Sequence, residues 1–165
     1  MIRLAAWLDA VCVNAGVVLA WFGIPLLIVL AALEPLARWV GWGGDAPFGE
    51  ASTVAFLAMT MTSFGYAYAA GSHVRLDILS RRFPGRLNDA IELAGALLIV
   101  LPLCALIVLD GTESAWRSLQ QGERWADSSR GLQWMVRAWI PIGFLLLGLA
   151  AIASALRSLL SLFRR

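Results

Sequence analysis

The chain has 165 residues, 60% of them apolar and only 15% charged, whereas a soluble domain of this size is nearer half apolar and a quarter charged. The surplus points to lipid as the solvent. The net charge is +2, all thirteen basic residues are Arg, and they are spread along the chain, which excludes nucleic acid as a partner.

Four segments contain no acidic, basic or His residue: 10–33, 51–72, 93–109 and 138–156. About 20 apolar residues in a helix cross about 30 Å of hydrocarbon. The predicted fold is therefore all-α: an integral membrane four-helix bundle forming a single domain over 1–165. The first span exceeds the h-region of a signal peptide and follows Asp9, so it is read as a retained helix. Gly16 and Ala20 give it a small-xxx-small pair, and Pro25 predicts a kink. Glu50 opens the second span, which carries two small-residue rows, Ser63–Ala67–Gly71 and Gly65–Ala69. Its hydroxyls (Ser52, Thr53, Thr60, Thr62 and Ser63) have no base beside them in the spans. They read as interhelical hydrogen-bonding groups and not as nucleophiles.

The third span carries Pro102, a second predicted kink, and continues past its apolar run. Leu109, Thr112, Trp116 and Leu119 recur at three- and four-residue steps, Glu113 and Arg117 form an i,i+4 pair, and Gly122 supplies a stop. A third helix that protrudes from the bilayer is expected. Gly143 and Gly148 leave small steps on the fourth span. Cys12 and Cys104 lie in separate apolar runs without a C-x-x-C pattern and read as small buried hydrophobes.

Eight Arg fall in the N-terminal segment, the second loop and the C-terminal tail, and five in the first and third loops. The positive-inside rule then places both termini in the cytoplasm. Trp39, Trp42, Trp116, Trp125, Trp134 and Trp139 all lie in or beside the two outer loops. An aromatic belt accounts for some of them; six on one side also suggest a protein-docking surface.

The apolar cores hold no ionisable residue, which argues against a self-sufficient proton-coupled pump. The only His is His73, at a span end, so a bis-His haem is excluded. Paired cysteines and H-E-x-x-H are also missing. Neither catalytic residues nor a cofactor or metal is expected.

The second loop is the most distinctive stretch. It runs Gly71-Ser72-His73-Val74-Arg75-Leu76-Asp77-Ile78-Leu79, then Arg81-Arg82 and the turn Pro84-Gly85, with Asn88 and Asp89 at the start of the third helix. Two readings of this loop stay open. Its Arg residues can be drawn to anionic phospholipid at about 1 kcal/mol each, or His73, Arg75 and Asp77 can form a polar joint that fixes the hairpin or a partner. The run from Tyr66 to Asp77 resembles the signature of the DctQ-like small membrane subunit of tripartite ATP-independent periplasmic (TRAP) transporters. Glu50, the four-span layout and the run Arg137-Ala138-Trp139-Ile140-Pro141-Ile142-Gly143-Phe144, similar to the family's Pro-Gly start of its fourth helix, match as well. Gln133 precedes Trp134 where the family often has Pro.

The resemblance implies a multi-pass protein of the bacterial inner membrane that is not an enzyme. Such a subunit binds a large membrane subunit, which carries the substrate and sodium sites, and works with a periplasmic substrate-binding protein that delivers an organic acid. Glu50, Gly71, His73, Arg75, Asp77, Pro141 and Gly143 become candidates for the subunit interface. Arg38, Trp39, Trp42, Trp116, Arg124 and Trp125 become candidates for docking the binding protein. The competing readings are a self-associating channel and a four-helix redox protein with an unrecognised site.

Overall fold

The computed structural model describes residues 2–41, 48–70, 85–124 and 133–164. They form four helical rods. The first consists of α1 (Ile2–Val18), a π-helical turn (Leu19–Gly23) and α2 (Ile24–Trp39). The second is α3 (Phe48–Ala69). The third consists of α4 (Gly85–Gly95), another π-helical turn (Ala96–Val100) and α5 (Leu101–Gln121). The fourth is α6 (Gln133–Arg164).

The two π turns give the expected kinks their physical form. Each ends two residues before a proline, Pro25 in the first rod and Pro102 in the third. Proline lacks the N–H for the carbonyl four residues back and its ring collides with that carbonyl. A turn widened to i→i+5 bonding accommodates both: the Leu101 N–H donates to Ala96 O, five residues earlier. At the far end of α5, Gly122 takes φ +60°. Its N–H donates to Leu119 O and that of Glu123 to Ser118 O, which is the Schellman arrangement and the predicted stop.

The first rod runs antiparallel to the second and to the fourth, and the third antiparallel to the fourth, whereas the second and fourth run parallel, Gly65 lying on Leu146 as Gly143 lies on Met61. Along the first rod, Gly16 faces Tyr66, Gly23 faces Met59, and Glu34 faces Gly49. Along the fourth, Gly143 faces Met61 and Pro141 faces Gly111, while Gly148 lies by Cys104. The centre of the bundle is α6, which packs against α1, α3, α4 and α5. Small residues permit this crowding: Ala150, Ala151, Ala153, Ser154 and Ala155 are all buried. Leu8 packs on Ala153, flanked by Leu149 and Leu156. Cys12 Sγ lies 3.5 Å from Leu146 O, and Phe64 meets Phe144 edge-on at 6.0 Å. Both cysteines are buried and unpaired, as read from the sequence.

Two expectations change. The helices outrun the apolar segments: the first and third rods contain continuous stretches of 34 and 35 residues suited to crossing a membrane, each about 50 Å long at the helical rise. The third does extend well past its apolar run, but so does the first. Among the described residues, three helices are long and apolar enough to cross a membrane, Ala6–Trp39, Leu87–Gln121 and Gln133–Ser161. The α3 helix has the length, but its Ser, Thr, Tyr and Gly residues dilute its apolar character. Its hydroxyls also do not bridge helices. Thr60, Thr62 and Ser63 donate to Phe56 O, Ala58 O and Thr60 O, while Ser52 and Thr53 donate to Gly49 O. A carbonyl one turn back is always within reach, so the helix satisfies its own hydroxyls.

A Cβ at position 143 would sit 2.6 Å from Met61 Cβ and 2.7 Å from Met61 O, whereas one at position 148 would meet nothing closer than 3.5 Å. Gly143→Ala is therefore expected to destabilise the bundle by about 1–3 kcal/mol. Gly148→Ala should be neutral or stabilising by up to about 1 kcal/mol, from helix propensity. Thermal unfolding of the two variants in detergent, compared with the parent chain, measures the difference.

Candidate interface sites at the two ends of the bundle

Polar side chains gather at the two ends of the bundle. At the end where α1 begins and α6 finishes, Arg157 forms an ion pair with Asp9. Ser154 donates to the Glu92 carboxylate, and Ser161 to that of Asp89. Ser154, Arg157, Ser158 and Ser161 follow three- and four-residue steps, so one face of α6 presents all of them. Asp89 and Glu92, three apart on α4, meet that face from one side and Asp9 from the other. Between α3, α4 and α6 an open cavity of about 340 Å³ remains, lined by Ala69, Ala70, Asp89, Glu92, Arg157, Ser158 and Ser161. The Asp9–Arg157 contact also fixes topology: the start of the first rod and the finish of the fourth share one end.

At the opposite end, α5 is tied to α6. Arg137 Nη2 lies 2.7 Å from Glu123 Oε2; this is an ionic contact and not an aligned hydrogen bond, since that oxygen has no hydrogen-bond partner. Arg137 Nη1 approaches Ser114 Oγ at 3.5 Å, and the Gln133 N–H donates to Glu123 O at 3.2 Å. Glu123 is held in place by the same Schellman turn that ends α5. On the other flank, Arg38 pairs with Glu34 at 2.7 Å. The Glu34 carboxylate lies against Gly49 in the first turn of α3, where the positive end of the helix dipole favours an anion. Glu50 occupies that turn too, with Oε1 buried and no hydrogen-bond partner among the described residues.

The residues singled out from the sequence are distributed as follows. Arg38, Trp39, Trp116 and Arg124 are exposed, Trp39 at 86%. All four lie towards the end that carries Glu123 and Arg137. Trp39 is on the flank where α2 packs on α3, and Trp116 on the flank where α5 packs on α6. Gly143 and Pro141 are buried inside the chain, against Met61 and Gly111 respectively. Pro141 lies two turns into α6, which starts at Gln133, so the Pro-Gly run does not begin the helix. Gly71, His73, Arg75, Asp77, Trp42 and Trp125 lie outside the described residues. Glu113 and Arg117 form the expected i,i+4 pair.

Sequence reading missed the Asp9–Arg157, Asp89–Ser161, Glu92–Ser154 and Glu123–Arg137 contacts. One signal was available: Ser154, Arg157, Ser158 and Ser161 form a polar face on an otherwise apolar helix.

The sequence matches the family of tripartite ATP-independent periplasmic transporters, DctQ component, over residues 27–161. Neither the curated proteins nor the solved structures gave a match.

With side chains about one-third exposed, the Glu123–Arg137 contact is partly shielded from water. Glu123→Gln is expected to cost about 1–2 kcal/mol, because Arg137 keeps only the long contact to Ser114. Arg117→Gln, on a pair in which both side chains are more than half exposed, should cost about 0.5 kcal/mol or less. Chemical unfolding of both variants in the same detergent gives the comparison.

Proposed function

Because the chain belongs to the DctQ component family of tripartite ATP-independent periplasmic transporters, we propose that it is the small membrane subunit of a sodium-coupled, binding-protein-dependent secondary transporter for organic acids. The family match is the observation that carries this reading; the family is a transporter component and not an enzyme family. In this reading the chain sits in the bacterial inner membrane and binds the large subunit, which carries the substrate and sodium sites. It enlarges the static scaffold against which the transport domain moves. The packing of α6 against the other rods supports a rigid role of this kind.

All four rods cross the membrane in this reading. The second crossing, α3, is shielded by the first rod and α6, which makes its lower apolarity tolerable. The Arg distribution puts both chain ends in the cytoplasm, and the Asp9–Arg157 tie agrees with a shared side. The opposite end then faces the periplasm, where exposed Arg38, Trp39, Trp116 and Arg124 offer a docking surface, with Trp42 and Trp125 as further candidates. Glu50, Gly71, His73, Arg75 and Asp77 are the candidates for contact with the large subunit. Pro141 and Gly143 shape the helix that supports them.

A reporter fused after Arg165 should be active in the cytoplasm and one inserted near Asp45 in the periplasm; the reverse pattern would invert the assignment of the two ends. In proteoliposomes under a sodium gradient, the chain alone should take up no organic acid, and uptake should require the large subunit and the binding protein. Arg75→Ala and Asp77→Ala should reduce copurification of the large subunit and whole-cell uptake more than Arg164→Ala does. Uptake by the chain alone, or equal behaviour of all three variants, would sink the respective claim.

A further inference from the structure

We infer that the cavity between α3, α4 and α6 binds the headgroup of an aminophospholipid of the phosphatidylethanolamine class. Its place in the bundle is the first argument. Asp89 and Glu92 lie just before the uncharged run 93–109, and Arg157, Ser158 and Ser161 just after the uncharged run 138–156. The cavity therefore opens at headgroup depth, and its volume of about 340 Å³ falls within the range of small-molecule sites.

The chemistry of the walls is the second argument. The α6 wall supplies the Arg157 guanidinium with the hydroxyl-bearing Ser158 and Ser161, and the α4 wall supplies the Asp89 and Glu92 carboxylates. A guanidinium has five N–H donors, so Arg157 can hold Asp9 through Nη1 and still donate to a phosphate. A primary ammonium has three N–H donors, suited to neighbouring carboxylates. Phosphatidylethanolamine joins a phosphate to such an ammonium by two carbons. A choline headgroup has no N–H to donate, and a phosphatidylglycerol headgroup brings a negative charge to the carboxylates with no cation to offset it. A metal ion is a poorer occupant, since no group of three or more His, Cys, Asp or Glu that could hold one occurs among the described residues.

The apolar surroundings are the third argument. Ala69 and Ala70 keep the α3 side of the cavity low. The inference needs only membrane residence and not the transporter reading, so loss of large-subunit binding leaves it standing.

The test is native mass spectrometry of the purified full chain in detergent with an equimolar mixture of phosphatidylethanolamine, phosphatidylcholine and phosphatidylglycerol. The chain should retain phosphatidylethanolamine in preference to the other two. Replacing both carboxylates, Asp89→Asn with Glu92→Gln, should reduce that preference at least about tenfold, the loss expected from charge-assisted hydrogen bonds. Ala70→Leu keeps every charge but fills the cavity, and should lower phosphatidylethanolamine retention with an unchanged circular dichroism melt; it carries the test if the double variant misfolds. Retention of phosphatidylglycerol or phosphatidylcholine equal to or above that of phosphatidylethanolamine overturns the inference. So does wild-type preference in a folded variant.

Discussion

Helices in lipid have no hydrophobic reason to associate, because lipid tails are as apolar as leucine. Close backbone approach must replace that drive, and in this chain it occurs between α3 and α6. Gly143 of α6 lies over Met61, and Gly65 of α3 lies over Leu146. Each glycine admits the other helix at a place where a Cβ would push it away. Once these two helices are close, the Ala150–Ala155 stretch of α6 lets α1 and α4 close in around it. The remaining contacts follow from this one. The position of α6 relative to α1 and α4 is what brings Ser154, Arg157 and Ser161 opposite Glu92, Asp9 and Asp89.

Depth divides the work between packing and charge. A charged side chain at the bilayer centre costs about 2.5–3.5 kcal/mol or more, so the middle of the bundle is held by van der Waals contact. At the headgroup level ions are hydrated and ion pairs are tolerated. There α6 is tied to α1 through Asp9 and to α4 through Asp89 and Glu92, and at the other end to α5 through Glu123. One helix is thus anchored at both ends and wedged in the middle. That arrangement suits the proposed role as a fixed support better than it suits a moving part.

Much of this was legible in the sequence because it depends on local pattern. Apolar runs locate the rods, three- and four-residue steps carry α5 past its apolar core, and Gly122 ends it in a left-handed turn. Glu113–Arg117 follows from helical spacing alone. The rest depends on information that local pattern lacks. Asp9 and Arg157 are 148 positions apart, and nothing near either one announces the other. The hydroxyls of α3 had two ways to be satisfied, within their helix or across to another, and composition does not choose between them. The Pro141–Gly111 contact likewise needs the register of two helices. Helix limits were underestimated because a charged residue ends an apolar run without ending the helix: Glu34, Asp110 and Arg157 all lie within helices.

The same division constrains how a partner can recognise this chain. α6 is the most enclosed rod and, among the described residues, shows only a narrow apolar line, Met135, Ile142, Leu145 and Ile152. The broad free surfaces belong to the first and third rods, where Trp21, Phe22 and Ile28 on one and Leu98, Ile99 and Leu106 on the other are exposed. Such faces resemble the lipid they displace, so they contribute shape and area with little discrimination. Discrimination requires groups that penalise a wrong partner, through unpaired charge or lost hydrogen bonds. In this chain those groups lie at the two ends: Glu50 with its buried, unpartnered oxygen and the Arg38–Glu34 pair at one, and the Asp89–Glu92–Arg157 cluster at the other. A partner helix laid along either rod would thus gain its affinity from the apolar middle, and its identity and register from the polar ends.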